Sequence, residues 1–106
     1  MSLRIVRTTD VNDDLFETGL RMGRLDPRRG ERFVTAFEST AARIAVMPGI
    51  GSPYPVTNPR LVGLRRVPIQ RFKDYQLFYL AGPEELVVVR VLHGSRDIRA
   101  ILERES

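Results

Sequence analysis

The stretch Leu86-Val-Val-Val-Arg-Val-Leu-His-Gly-Ser-Arg-Asp-Ile-Arg-Ala-Ile-Leu102 reads as a strand, a polar turn and the start of a helix in succession. Leu86 to Leu92 offers no polar face over its length, the pattern of a strand buried on both sides. One cation, Arg90, interrupts it. A charge inside an apolar strand costs free energy unless an acid pairs with it or the strand end meets water. His93-Gly94-Ser95-Arg96-Asp97 leaves the strand as a turn, and Ile98, Ile101 and Leu102 then give a helical turn or two with one apolar side. The end of this strand is where function is expected.

Working back from it, Ala81-Gly-Pro-Glu-Glu85 is a reverse turn, and Tyr75-Gln-Leu-Phe-Tyr-Leu80 before it is an aromatic-rich strand, so the two strands form a hairpin. Leu61 to Ile69 is a third strand carrying Arg65 and Arg66, with Pro68 marking an edge or an end. Pro48 to Pro59 holds four prolines and two glycines, hence a loop. Upstream lie two helices. Asp26-Pro27 starts the second, Asp as cap and Pro at the first helical position. Phe33, Phe37, Ala41 and Ile44 form its stripe, widened by Val34, Ala45 and Met47, and Met47-Pro48-Gly49 stops it. For the first helix, Asp10 or Asn12 serves as cap, and Asp13, Asp14 and Glu17 put negative charge in the first turn. Val11, Leu15, Met22 and Leu25 give it an apolar face, weakened by Gly19. Leu3 to Thr9 is a short opening strand. The order β-α-α-β-β-β with a short C-terminal helix predicts an α+β fold, one domain over 1–106. The N-terminal strand joins the edge of a small, mainly antiparallel sheet, and the helical hairpin packs on one face.

The composition fits a folded chain of 12.1 kDa, with 42% hydrophobic and 28% charged residues, and argues against wholesale disorder. No apolar run approaches a membrane span, and the first ten residues lack a secretory signal, so the cytoplasm is the expected location. The absence of cysteine rules out disulfides, a thiolate nucleophile and Cys-ligated zinc. No cofactor is expected. One histidine and scattered acids offer no metal-ligand spacing, so no metal is expected either. The net charge is +4, and Lys73 is the one lysine among 17 cations. Arginine bias alone can reflect base composition, but Arg60, Arg65, Arg66, Arg71 and Lys73 fall in one stretch with no acid. That is a local positive field suited to an acidic protein segment or to nucleic-acid phosphate.

His93 is the one side chain whose ordinary titration lies near neutrality. With Arg90 and Arg96 it forms a minimal acid-and-cation set of the kind RNA cleavage through the 2′-hydroxyl requires. The plainer reading has His93 hydrogen-bonding its own turn and ordering the last helix. Arg90 either projects into a partner groove or pairs internally with Asp97 or Glu38. Strict alternation puts Arg90 with Val88 and Leu92, and His93 with Val89 and Val91, so the two do not share a pocket unless the strand twists or ends between them. Asp97 serves the free amides of the last helix.

Through Tyr75-Gln-Leu-Phe-Tyr and Val91-Leu-His-Gly-Ser-Arg-Asp-Ile, at this length and element order, the chain resembles the RelE/ParE superfamily of toxins from bacterial toxin–antitoxin operons. It is nearest to the ParE, or plasmid-stabilisation, branch. The resemblance implies a type II toxin neutralised by a cognate antitoxin in a hetero-oligomer. RelE-like members cleave mRNA on the ribosome, whereas ParE-like members poison DNA gyrase. The lysines of the RelE-like second strand fall at Val67 and Ile69, the arginine of the next strand at Gln76, and the tyrosine of the final helix at Leu102. Arg96 alone of that set is kept. The expected function is gyrase inhibition, with ribosome-dependent mRNA cleavage the alternative and a homologue without activity a third. Arg60, Arg65, Arg66, Arg71, Arg90 and Arg96 are the candidate contacts to target or antitoxin. No membrane partner and no sequence-specific DNA binding by this chain alone are expected.

Overall fold

Strand, helical hairpin and sheet follow one another in the expected order. The computed structural model describes residues 2–105. Within them lie β1 (Arg4–Arg7), α1 (Thr9–Leu25), α2 (Pro27–Val46), β2 (Ser52–Pro53), a 3-10 turn (Pro59–Leu61), β3 (Arg65–Ile69), β4 (Phe72–Ala81), β5 (Glu85–His93) and α3 (Ile98–Glu103). The sheet order is β1-β5-β4-β3-β2, antiparallel except that β1 runs parallel to β5 at the edge. The architecture is α+β.

The proline-rich stretch contains one unexpected pairing: Ser52 and Pro53 lie opposite Arg66 and Arg65 as the outer strand. Two residues carry too little local signal to read as a strand, and the pairing is imposed by β3. That strand begins at Arg65 rather than Leu61, because Asn58 caps a 3-10 turn and Leu61 is spent there.

Thr8, not Asp10 or Asn12, caps α1. Its Oγ accepts from the Val11 amide at 3.1 Å and donates to the Val89 carbonyl at 2.9 Å, which ties the helix start to β5. The first-turn acid is consequently Asp10, and Asp14 sits a turn further on, facing the sheet. Val11, Leu15 and Met22 are buried as expected, whereas Leu25 is 91% exposed because the chain leaves the helix there. α2 follows expectation at its start: Asp26 accepts from the Arg28 amide and Pro27 holds the first position. Met47 is the C-terminal cap of α2 and exposed, outside the apolar stripe. The two helices cross in backbone contact, since a Cβ built on Gly30 would stand 2.5 Å from the Gly19 carbonyl oxygen. Gly30, costly to an isolated helix, is what lets the hairpin close, whereas a Cβ on Gly19 would make only ordinary contacts with Val34 and Gly30.

Both faces of the sheet are covered. On one, Phe33, Phe37 and Ile44 of α2 and Val11 of α1 meet Ile69, Leu77, Tyr79, Leu86, Val88 and Val91. On the other, α3 and the 54–64 loop close over Phe78, Val89 and Leu92 with Leu61, Leu64 and Leu102. The uniformly apolar β5 belongs to this arrangement. Its register slips where β4 passes from Phe78 to Tyr79, so Val88 and Val91 both face the helices while Val89 and Leu92 face the other way. Strict alternation fails at that bulge. Arg90 therefore lies with Leu92 but not with Val88, and His93 with Val91 but not with Val89.

Candidate functional site

β1 ends at Arg7, opposite Val88, so the last part of β5 has a bare edge. Thr8 and Asp14 close it. The Thr8 hydroxyl takes the Val89 carbonyl, and one Asp14 carboxylate oxygen accepts the Val91 amide at 3.0 Å. The same carboxylate receives Arg90 as a two-pronged pair, Nε to Oδ2 and Nη2 to Oδ1, each at 2.8 Å. Arg90 Nη1 reaches Glu105 at 3.4 Å. The partners expected for Arg90, Asp97 and Glu38, are not the ones it has. Asp97 instead caps α3 by accepting from the Ala100 amide, the helix-start role expected of it.

Glu105 closes a second clamp. Asn58, buried, donates its side-chain amide to the Leu102 and Glu105 carbonyls at 2.9 and 2.7 Å, and the Thr57 amide donates to Glu103. The Thr57 bond holds the Glu103 carboxyl below its ordinary range. Hydrogen bonding to Asp14 holds Arg90 firmly protonated, against the opposing pull of burial. Burial, and then the neighbouring Asp10 carboxyl, push Glu105 up to about 7, further than the Arg90 charge pulls it down. A carboxyl raised in the folded state contributes stability below its ordinary pKa and loses it as pH rises through the folded value. The tail should therefore dock more firmly at pH 5 than at pH 8. Urea unfolding is expected to lose about 1 kcal/mol more across that interval in the native chain than in Glu105→Gln, allowing for solvent screening. Equal pH profiles in the two proteins would contradict this.

On the helix-facing side of β5, His93 and Arg96 line a polar pocket of about 340 Å³ with Asp14, Glu17, Thr18, Arg21, Tyr75 and Ser95. The Ser95 amide donates to His93 Nδ1 at 3.0 Å, and the Ser95 hydroxyl lies 2.8 Å from the same nitrogen. That leaves Nε2 to carry the proton of the neutral ring. The imidazole stands edge-on to Tyr75, 4.9 Å between centroids, and Tyr75 in turn packs on Phe33 and accepts a hydrogen bond from Arg21. The imidazole is thus anchored through its turn, and two of the three residues of the minimal catalytic set meet here. Arg90 does not join them.

The run from Arg60 to Lys73 does not make a single face. Arg60 is on the 3-10 turn, Arg65 donates to the Gly51 carbonyl at 2.6 Å, and Arg66 stacks over Tyr54 on the opposite side of β3. Arg71 and Lys73 stand apart at the β3–β4 turn. The outer surface of the helical hairpin carries a different feature, an apolar groove of about 700 Å³. Leu15, Phe16, Leu20 and Val34 wall it, and Gly19, Gly23 and Gly30 line it where the helices touch. Phe16 is 70% exposed and Leu20 49%. A sheet with a helical hairpin is expected to leave an apolar groove and a strand edge for a disordered partner, but neither the groove's residues nor the Asp14–Arg90–Glu105 cluster was named from the sequence. An acid placed among Val11, Leu15, Thr18 and Met22 on the buried side of α1 was the readable sign of the cluster.

Among the described residues no group of three or more acids or histidines is placed to hold a metal ion, and no helix is long and apolar enough to cross a membrane. No curated protein matches the chain. A family model described as ParE toxin of type II toxin-antitoxin system, parDE, matches residues 5–98.

Proposed function

The chain belongs to the ParE toxin family of type II toxin–antitoxin systems, and from that premise we propose that it acts by binding: it inhibits DNA gyrase in the cytoplasm and is neutralised by a cognate antitoxin. The observation that carries this reading is the dispersal of the catalytic set. Arg90 is consumed by Asp14, while His93 and Arg96 line a pocket that Asp14 borders and Arg90 does not line. Val67 and Ile69, the positions of the RelE-like lysines, face the helical core, and Leu102, the position of the tyrosine, is buried against the other face. Proton transfer to a leaving oxygen and stabilisation of a phosphorane would need those groups in one place.

The apolar groove supports the neutralisation part of this reading. A patch of this kind on a small domain is a place for a partner to bury its own apolar residues. A disordered antitoxin segment that folds into an amphipathic helix fits between Phe16, Leu20 and Val34. The competing reading, a ribosome-dependent mRNA endonuclease, draws on the pocket where His93, Arg96, Arg21 and Tyr75 converge.

Purified toxin incubated with gyrase and relaxed plasmid, and separately with programmed ribosomes, decides between them. Loss of supercoiling with transcripts left intact is the expected result. Transcript cleavage that disappears in His93→Ala, with gyrase unaffected, would overturn the proposal.

A further inference from the structure

We propose that the cleft between the first turns of α2 and the β3–β4 turn binds the phosphodiester backbone of a nucleic acid without reading its sequence. The cleft has a volume of about 730 Å³. Arg28, Arg29 and Arg32 stand on its α2 side, Arg71 and Phe72 on its β side, and the Thr35 and Ser39 side chains line the space between. Glu31 is the one acid in the lining, and Lys73 adds a further cation in the adjoining hollow, next to Asp74.

Most of the positive charge lining the cleft is unpaired, as is most of the arginine charge elsewhere among the described residues; what sets the cleft apart is that such cations stand on both of its walls. Arg4 and Arg90 are paired to carboxylates, and Arg32 has Asp26 at 3.6 Å. Among the described residues, Arg28, Arg29, Arg71 and Lys73 have no carboxylate within ion-pair distance. Arg29 is fixed by stacking over the Phe72 ring at 5.5 Å, which occupies the guanidinium face and leaves its N–H edge for an oxyanion.

Arg71 supplies an independent sign. It is the one non-glycine residue with positive φ among those described, at 68°. A turn of this shape takes glycine or asparagine without strain, whereas an arginine is held there at a conformational cost. Such strain is found where the side chain serves as a ligand clamp. Cations on both walls suit a ligand with a charge on every repeat, and neutral hydroxyls between them suit phosphate oxygens. An acidic peptide would need consecutive acids to match this density.

The inference stands apart from the gyrase reading, and its test contains no gyrase. Fluorescence anisotropy of a labelled mixed-sequence DNA duplex, and of a single-stranded RNA of equal length, would be followed from 50 to 200 mM salt. For the nucleic acid that binds, log K should fall against log salt with a slope of about −3, reflecting three to four phosphate contacts. Arg71→Gly should reduce the slope by about one and weaken binding several-fold, while leaving the melting temperature equal or higher. Arg29→Gln should weaken binding likewise with the turn untouched. Absence of salt-dependent binding to both probes, or native affinity in both variants, would overturn the proposal. So would displacement by polyglutamate at equal charge concentration, which would assign the cleft to an acidic protein segment.

Discussion

Replacing Asp14 by alanine is expected to lower the unfolding free energy by about 3–5 kcal/mol, the cost of stranding one partner of a buried ion pair. The Arg90 side chain is 15% exposed and that of Asp14 10%. Removing the carboxylate takes both short hydrogen bonds from the guanidinium and leaves it Glu105 at 3.4 Å. It also orphans the Val91 amide on the bare edge of β5. A domain of this size has about 5–15 kcal/mol in total, so the variant should be close to unfolding at physiological temperature. Asp14→Asn keeps an acceptor for Val91 and should cost less than the alanine. The double variant Asp14→Leu, Arg90→Met should recover much of the loss, because the desolvation of both charges is removed along with their attraction. Urea midpoints, read with the slope to check that unfolding stays two-state, measure all three. A loss below about 1 kcal/mol in Asp14→Ala would mean that Arg90 reaches water once its partner is gone.

Arg90 also marks how far the sequence could be read. That it would either pair with an acid or project into a partner groove followed from its place in an apolar strand, and the fold takes the first course. Which acid was not readable, since Asp14 is brought to it by the packing of α1 on β5 and Glu105 by the Asn58 clamp on the tail. The order of elements was legible because each carried its own signal: the Asp26-Pro27 start, the Phe33–Ile44 stripe, the reverse turn before Glu85. What lacked a local signal was lost. β2 exists only against β3, and the bulge that re-aims Val88 depends on the β4 register. The Thr8 cap was overlooked for the nearby acids because its second bond, to Val89, is a long-range one. The arginines were grouped by sequence proximity, while the fold separates Arg65 from Arg66 and joins Arg71 to Arg28 and Arg29 instead.

The apolar groove gives the second large effect. On the proposed reading, Leu20→Glu is expected to weaken binding of the cognate antitoxin at least a hundredfold. Truncating or charging a central apolar anchor removes about 2–4 kcal/mol from an interface of this type. Burying a carboxylate against Phe16, Leu15 and Val34 adds a desolvation cost that Arg24, one turn further along α1 in the groove lining, offsets only in part. The fold should be indifferent: Leu20 is 49% exposed, outside the buried core, and such surface changes stay within about 0.5 kcal/mol. The toxin would thus remain folded and poisonous but escape neutralisation, so cells carrying both genes would stop growing where the native pair does not. Val62→Glu is the control, a more exposed apolar residue beyond the groove, shortly before β3. Titration calorimetry with the purified antitoxin supplies the affinity, and thermal melts establish that both variants fold. If Leu20→Glu were neutralised as readily as the native chain, the helical hairpin would not be the antitoxin's seat. If it lost toxicity while still binding antitoxin, the same groove would belong to the target, since one glycine-lined crevice between α1 and α2 cannot hold both at once.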